Sequence, residues 1–248
     1  MPSPHVVVRN WRDADPQVGH ESALIWSVLE SRRTDDPPPH ACLEHIRGLT
    51  RHAVQGGQHS DLHGHADIEQ FYYVLAGDGE VQIGDQRFPL TAGTAAYLPP
   101  GLPHQAFASP ASEWLEHLVV SCHVSRTGTG PRVVNWRQVR PAAGAHAAAV
   151  IWALLESADS TPPDTDQPCL LGFHYLTRQA LVRGRTSDRH QHDDKEQVYY
   201  VLEGEGTLVA ADRVYHLTEG DTVYLPRSVP HQILNEEWPG WLSYLIIS

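Results

Sequence analysis

The chain repeats itself at an interval of 127 residues. Gly57, His63, His65, Gln70, Gly77, Gly93 and His104 recur as Gly184, His190, His192, Gln197, Gly204, Gly220 and His231, every pair separated by that interval. A register this strict implies two copies of one folding unit, each carrying the same polar set. The repetition includes plain structural residues. Leu49-Thr50-Arg51 returns as Leu176-Thr177-Arg178, Tyr72-Tyr73-Val74-Leu75 as Tyr199-Tyr200-Val201-Leu202, Tyr97-Leu98-Pro99 as Tyr224-Leu225-Pro226, and Trp114 as Trp241. Toward the start of each copy the interval shrinks: Trp26 answers Trp152 at 126, and Asn10-Trp11-Arg12 answers Asn135-Trp136-Arg137 at 125. Small length changes of this kind belong in loops.

A length of 248 residues accommodates two units of ~120, each large enough for its own core. The predicted division is 1–125, a linker over 126–131 with the turn-forming composition Arg-Thr-Gly-Thr-Gly-Pro, and 132–248. No run approaches the ~20 apolar residues of a membrane span. The start, Met1-Pro2-Ser3-Pro4-His5, has neither a basic region nor an apolar run, so a cytoplasmic location is expected. A formal charge of −12 offers no basic stripe for phosphates and argues against nucleic acid as a partner. Cys42, Cys122 and Cys169 form no Cys-x-x-Cys pair. Cys42 and Cys169 are repeat mates, so they read as small buried residues rather than a redox pair. The expected assembly is a monomer or homodimer with a small-molecule substrate.

Strand patterns dominate. Residues 70–75 and 197–202 are rich in aromatic and β-branched side chains and run into Gly77-Asp78-Gly79 and Gly204-Glu205-Gly206. Short strands are predicted over 80–83, 95–98, 206–210 and 222–225, with turn residues between them. Many short, evenly spaced strands point to a closed or sandwich-like all-β fold. The apolar stretches 22–29 and 147–155 fit either a strand or a short helix. The Pro- and Asp-rich segments 34–40 and 160–167 read as exposed loops.

His63-Gly64-His65 and His190-Gln191-His192, read as lying on strands, would place two imidazoles on one face, because side chains there alternate. Neutral imidazole is the commonest protein ligand for divalent transition metals. Further ligands must come from other strands: Gln70 or Glu69 and then His104 in the first copy, Gln197 or Glu196 and then His231 in the second.

These motifs resemble those of the cupins, and their duplication resembles a two-domain bicupin. The family patterns are G-x5-H-x-H-x3,4-E-x6-G and G-x5-P-x-G-x2-H-x3-N. The first copy supplies Gly57, His63, His65, Gly77, Gly93, Pro99, Gly101 and His104, and the second Gly184, His190, His192, Gly204, Gly220, Pro226, His231 and Asn235. The resemblance spans almost the whole chain. It implies two tandem double-stranded β-helix barrels, each with a metal inside, hence up to two divalent ions per chain (Fe, Mn, Ni or Zn). Three departures stand out. Gln70 and Gln197 occupy the glutamate position, with Glu69 and Glu196 one place earlier; Ala108 replaces the Asn kept at Asn235; Ser228 replaces a Gly. We read the glutamines as ligands, because the following Tyr-Tyr-Val-Leu-x-Gly sets a strand register whose slip by one residue would turn every side chain over.

Around that set, Tyr72 and Tyr199 share strand parity with the glutamines and are expected as pocket wall, hydrogen-bond donors or core. Arg51 and Arg178 are candidates to clamp a carboxylate, if they do not face outward. Glu69, Glu196 or a tyrosine would move protons where a neutral glutamine cannot. His5, His40 and His117 read as ordinary surface or core residues. The resemblance implies action on a small organic acid or phenol. The first reading is a non-haem dioxygenase-type oxidoreductase, because three histidines with two adjacent open positions suit iron and oxygen. The alternatives are a metal-dependent isomerase or lyase such as a decarboxylase, and a non-catalytic barrel that binds a small molecule.

Overall fold

The computed structural model describes residues 5–143 and 146–248, so that most of the opening segment, residues 1–4, lies outside them. Every stretch with a strand pattern forms a strand. The two ambiguous apolar stretches are strands as well, Ala23–Glu30 and Val150–Glu156. Among the described residues, helix is confined to two single turns, Trp11–Asp13 and Trp136–Gln138, and no helix is long and apolar enough to cross a membrane.

Each half is an antiparallel barrel in which a seven-stranded sheet faces a smaller one. In the N-terminal half the large sheet runs Arg132–Asn135, Thr94–Leu98, Ile68–Ala76, Trp114–His123, Ile46–Gln55, Ala23–Glu30, Gln17–Gly19, and the small one Gln86–Thr91, Asp78–Ile83, His104–Ala108. In the C-terminal half the large sheet runs Val7–Asn10, Asp221–Leu225, Gln197–Glu203, Leu242–Ile247, Tyr175–Leu181, Val150–Glu156, Ala142–Ala143, and the small one Arg185–Thr186, His231–Asn235, Gly206–Ala210, Arg213–Leu217.

The first strand of each copy therefore belongs to the other copy's sheet. Val7–Asn10 pairs with Asp221–Leu225, and Arg132–Asn135 pairs with Thr94–Leu98. The spatial units depart by one strand each from the contiguous division at 126–131. The exchange covers a sheet edge that would otherwise expose unpaired backbone. Both exchanged strands end in the same way. Asn10 and Asn135 cap a single turn through the Arg12 and Arg137 N–H groups, 3.1 Å in both cases. The turn lays Trp11 on Gly220 and Trp136 on Gly93. Both glycines have φ of +87°, and a Cβ there would stand 2.7 and 2.4 Å from the indole Cδ1, so no other residue fits.

The large sheets are buried on both faces, which explains their near-continuous apolar strands. Along Ile68–Ala76, Tyr72 and Val74 enter the barrel core with Val54, Ala96 and Leu115, while Phe71 and Tyr73 enter a second core with Leu49, Leu118, Leu176, Tyr200 and Leu245 from both halves. Tyr199 and Val201 line the other barrel in the same way. The two barrels are thus welded through a shared apolar layer, and residues of opposite parity on one strand serve different purposes.

Candidate metal centres

The small sheet and the loop before the central strand bring the histidines together. His63 and His190 lie on extended but irregular segments rather than in regular strands, each pinned by one bridge, to His104 and His231 respectively. The N–H groups of His104 and His231 donate to the His63 and His190 carbonyls at 2.7 and 2.8 Å. A loop N–H then fixes each second histidine: Gly101 donates to the His65 carbonyl and Ser228 to that of His192, both at 2.7 Å. Gly101 has φ of +85° and Ser228 of +60°, so the serine takes up the same left-handed turn that the motif's glycine provides.

The two triads have the same geometry. Ring centroids of His63 and His104 lie 4.5 Å apart, as do those of His190 and His231. In each triad, one ring nitrogen per histidine lies within 4.8 Å of the other two. The Nδ1 atoms of His63 and His104 approach the Asp61 and Leu102 carbonyls at 3.2 and 3.4 Å, and those of His190 and His231 approach Asp188 and Val229 at 3.2 and 2.8 Å. An Nδ1–H that donates outward leaves the Nε2 lone pair facing in. Accordingly, Nε2 of His104, His190, His192 and His231 and Oε1 of Gln70 and Gln197 are buried without a hydrogen-bond partner. Burial, then repulsion from His63, pushes His104 down to about 3. Burial likewise lowers His192 and His231 to about 4. Neutral rings with converging lone pairs, each costly to leave unpaired, fit a divalent cation.

The glutamates lie elsewhere. Glu69, fully buried, turns away from the barrel and accepts hydrogen bonds from the N–H groups of Leu171, Gly172 and Phe173 at 2.8, 2.6 and 2.9 Å and from Tyr97 Oη at 3.0 Å. Glu196 accepts from the N–H groups of Glu44, His45 and Ile46 at 2.9, 2.8 and 2.7 Å. Each carboxylate is a clasp on the opposite half's loop, and the expectation of a proton-moving role is corrected for both. Arg51 and Arg178 also face the junction between barrels, where they donate to the hydroxyls of Tyr200 and Tyr73; the carboxylate clamp expected inside the barrels does not form. Tyr72 and Tyr199 do point inward, with rings 6.3 and 6.0 Å from those of His104 and His231. Burial raises both phenols well above their ordinary range, which keeps them protonated against the histidine triads.

Sequence reasoning missed two dyads. His20 Nδ1 meets Asp61 Oδ1 at 2.7 Å, and its ring stacks 4.5 Å from His63. His146 meets Asp188 at 3.2 Å and lies 4.8 Å from His190. The signal was present, since Asp61 and Asp188 keep the interval of 127, and His20 and His146 keep the interval of 126 that separates Trp26 from Trp152. His20 sits at φ of +46°, an unfavourable backbone held in place beside the cluster.

The barrels differ inside. The N-terminal barrel holds a cavity of about 360 Å³ lined by His20, His52, His63, His65, Gln70 and His117, with Arg47, Gly48 and Thr50 also on its wall. At the positions of Gly48 and His117 the C-terminal barrel has Tyr175 and Tyr244. The Tyr175 hydroxyl accepts from Gln197 Nε2 at 2.6 Å, and Tyr244 stacks on Tyr199 at 5.7 Å. The second barrel thus carries two phenols where the first has a glycine and an imidazole.

Comparison with known proteins agrees with this architecture. The family model described as a cupin domain matches residues 50–120 and 177–238. An uncharacterized protein of Methanocaldococcus jannaschii is 39% identical over 46 residues, a match covering 18% of this chain and 37% of that protein. Among solved structures, a putative glyoxylate-induced protein of Pseudomonas aeruginosa superposes with a TM-score of 0.77 at 15% identity, over all of this chain and 89% of that one. The Ylba protein of E. coli gives 0.72 at 14% identity over 100% and 91%. An oxalate decarboxylase of Lactobacillus farciminis, in complex with formate, gives 0.74 at 14% identity over 97% and 85%. At these identities the likeness is one of fold.

Proposed function

We propose, from the premise that the chain belongs to the cupin family, that it is a metal-dependent enzyme acting on a small organic acid in the N-terminal barrel by proton-transfer chemistry of the lyase or isomerase kind. The inequality of the two barrels carries this reading. A cavity of about 360 Å³ with Gly48 and His117 on its wall lies against the first histidine triad, whereas the second barrel carries the bulkier Tyr175, bonded to Gln197, and Tyr244, stacked on Tyr199. A divalent ion held by His63, His65, His104 and Gln70 would supply Lewis acidity toward a bound carboxylate.

The chain's own residues supply the rest. Arg47, on the cavity wall and exposed, suits a carboxylate approaching from solvent. His20 lines the cavity with Nδ1 tied to Asp61, which leaves Nε2 as the atom that takes or gives a proton. Tyr72, held protonated by burial, presents a donor and walls out water. The fold likeness to an oxalate decarboxylase supports the lyase reading. A dioxygenase is the second reading, favoured by three histidines that would leave adjacent positions on an iron ion open.

The test incubates metal-replete protein with small dicarboxylic, 2-oxo and 2-hydroxy acids, following substrate by NMR and oxygen by electrode. Turnover without oxygen consumption, abolished by His63→Ala and retained in His190→Ala, is expected. Oxygen consumed in step with substrate would establish the dioxygenase reading, and metal-loaded protein that binds but never turns over an acid would reduce the barrel to a binding module.

A further inference from the structure

Between the barrels, outside both histidine clusters, lies a larger cavity of about 720 Å³. Its walls come from equivalent elements of the two copies, so departures from equivalence are informative. Arg51 and Arg178 are repeat mates, and each donates to a tyrosine hydroxyl of the opposite half at 3.1 Å. Each also stacks on an indole, Arg51 at 4.0 Å from Trp11 and Arg178 at 4.3 Å from Trp136.

Their countercharges differ. Arg51 forms an ion pair with Glu116, but the repeat mate of Glu116 is Ser243, which also lines the cavity. Arg178 has no carboxylate within ion-pair distance among the described residues, and its Nε is buried without a partner. The neighbouring arginines repeat the contrast. Arg12 pairs with Glu219 at 2.7 Å, while Arg137, its counterpart, faces Ala92 at the position of Glu219, and among the described residues its guanidinium donates only to the Ala92 carbonyl, at 3.1 Å. Arg137 shares the Trp136 indole with Arg178, at 4.8 Å from its centroid. Glu203, cross-strand from Ser243 and at the repeat position of Ala76, is exposed on the same wall and forms no ion pair with either guanidinium among the described residues.

One end of the cavity is therefore neutralised by the protein's own carboxylates, and the other holds two guanidiniums whose carboxylates have been replaced by Ser and Ala. A part-buried, uncompensated guanidinium with a free Nε–H is unfavourable alone and is satisfied by an oxyanion that bonds two N–H groups at once. We propose that this end of the interbarrel cavity is an anion-binding site in which Arg178 and Arg137, braced on Trp136 beside Ser243, take the carboxylate or phosphate group of a small ligand. The site is separate from the barrel interiors and does not depend on the reaction proposed for them.

Titration calorimetry of the intact, metal-replete protein with inorganic phosphate and, separately, with succinate tests the proposal and shows which anion is preferred. One saturable site per chain is expected in Gly48→Tyr, where the N-terminal barrel is plugged, for at least one of the two anions. Added to that background, Ser243→Glu restores the missing carboxylate without removing any arginine and should weaken binding roughly tenfold to hundredfold, the worth of a charge-assisted hydrogen bond. Arg178→Gln should do the same, and covers the case in which the Ser243 variant fails to fold. Glu116→Ser combined with Glu219→Ala should free both Arg51 and Arg12 and raise the stoichiometry from one to two. Absence of saturable binding of either anion, or binding unaltered by folded Ser243→Glu or Arg178→Gln protein, overturns the proposal.

Discussion

Glu69→Gln separates the clasp between barrels from the metal cluster beside it. The carboxylate accepts three backbone N–H groups at 2.6–2.9 Å and the Tyr97 hydroxyl at 3.0 Å, with no solvent access. A glutamine retains one accepting oxygen and turns an NH2 toward donors at the other. Two hydrogen bonds to a charged acceptor are lost, at about 1.5–3 kcal/mol each, so the expected destabilisation is about 3–6 kcal/mol. At ~2–4 °C per kcal/mol for a chain of this size, Tm should fall by on the order of 10 °C. Calorimetry reads the shift and elemental analysis of the same sample reads the metal. The account requires a large drop in Tm with metal content preserved. Metal lost with Tm unchanged would refute it, because Glu69 and not Gln70 would then face the barrel.

The same geometry sets other outcomes. A Cβ at Gly48 meets the Leu29 carbonyl at 3.7 Å and Ser121 Oγ at 4.0 Å, ordinary contacts, so Gly48→Tyr should fold, keep its metal and lose turnover; a fully active variant would move the substrate elsewhere. Conversely, Tyr175→Gly should open the C-terminal barrel to small acids at a stability cost of about 3–5 kcal/mol, readable as acid binding gained in a Gly48→Tyr, Arg178→Gln background, where the interbarrel site is weakened. Asp61→Asn should lower kcat roughly tenfold to a hundredfold with little change in metal content, whereas unaltered kcat would remove the His20–Asp61 dyad from the chemistry. Burial holds His117 near pKa about 4 against ~6.5 unfolded, so its contribution is whole above pH ~6.5 and is lost as pH falls toward 4. Metal-stripped protein should lose about 3 kcal/mol of stability over that window through this residue, and His117→Gln should make the dependence seen in denaturant titrations shallower by that share, leaving the part due to His104, His192 and His231.

The repeat interval alone exposed the two units and all eight candidate donors, because a ligand set tolerates no change in spacing. Strand alternation then placed Gln70 and Tyr72 inside together, and the same alternation sends Glu69 outward, a consequence that was legible but outweighed by the chemistry expected of a glutamate. Arg51 was ambiguous for a physical reason: its strand is buried on both faces, so polarity does not mark the inner side. The pairing of Val7–Asn10 with a strand more than two hundred positions away is a choice between equivalent sheet edges, which no local pattern encodes. The inequality of the barrels was written at single positions, Gly48 against Tyr175 and His117 against Tyr244, and acquired meaning only when the structure put all four on barrel interiors.

We propose that each barrel has its own cation site, built from three histidines and a glutamine. Elemental analysis of protein purified without chelators tests it most directly, applied to the wild type and to His104→Ala, His231→Ala, Gln70→Ala and Gln197→Ala. Up to two ions per chain are expected, one of them lost with His104→Ala and the other with His231→Ala, and a weakened site confined to the half that carries each glutamine change. Metal content unaffected by either histidine substitution, or lost from both halves by one of them, would contradict it.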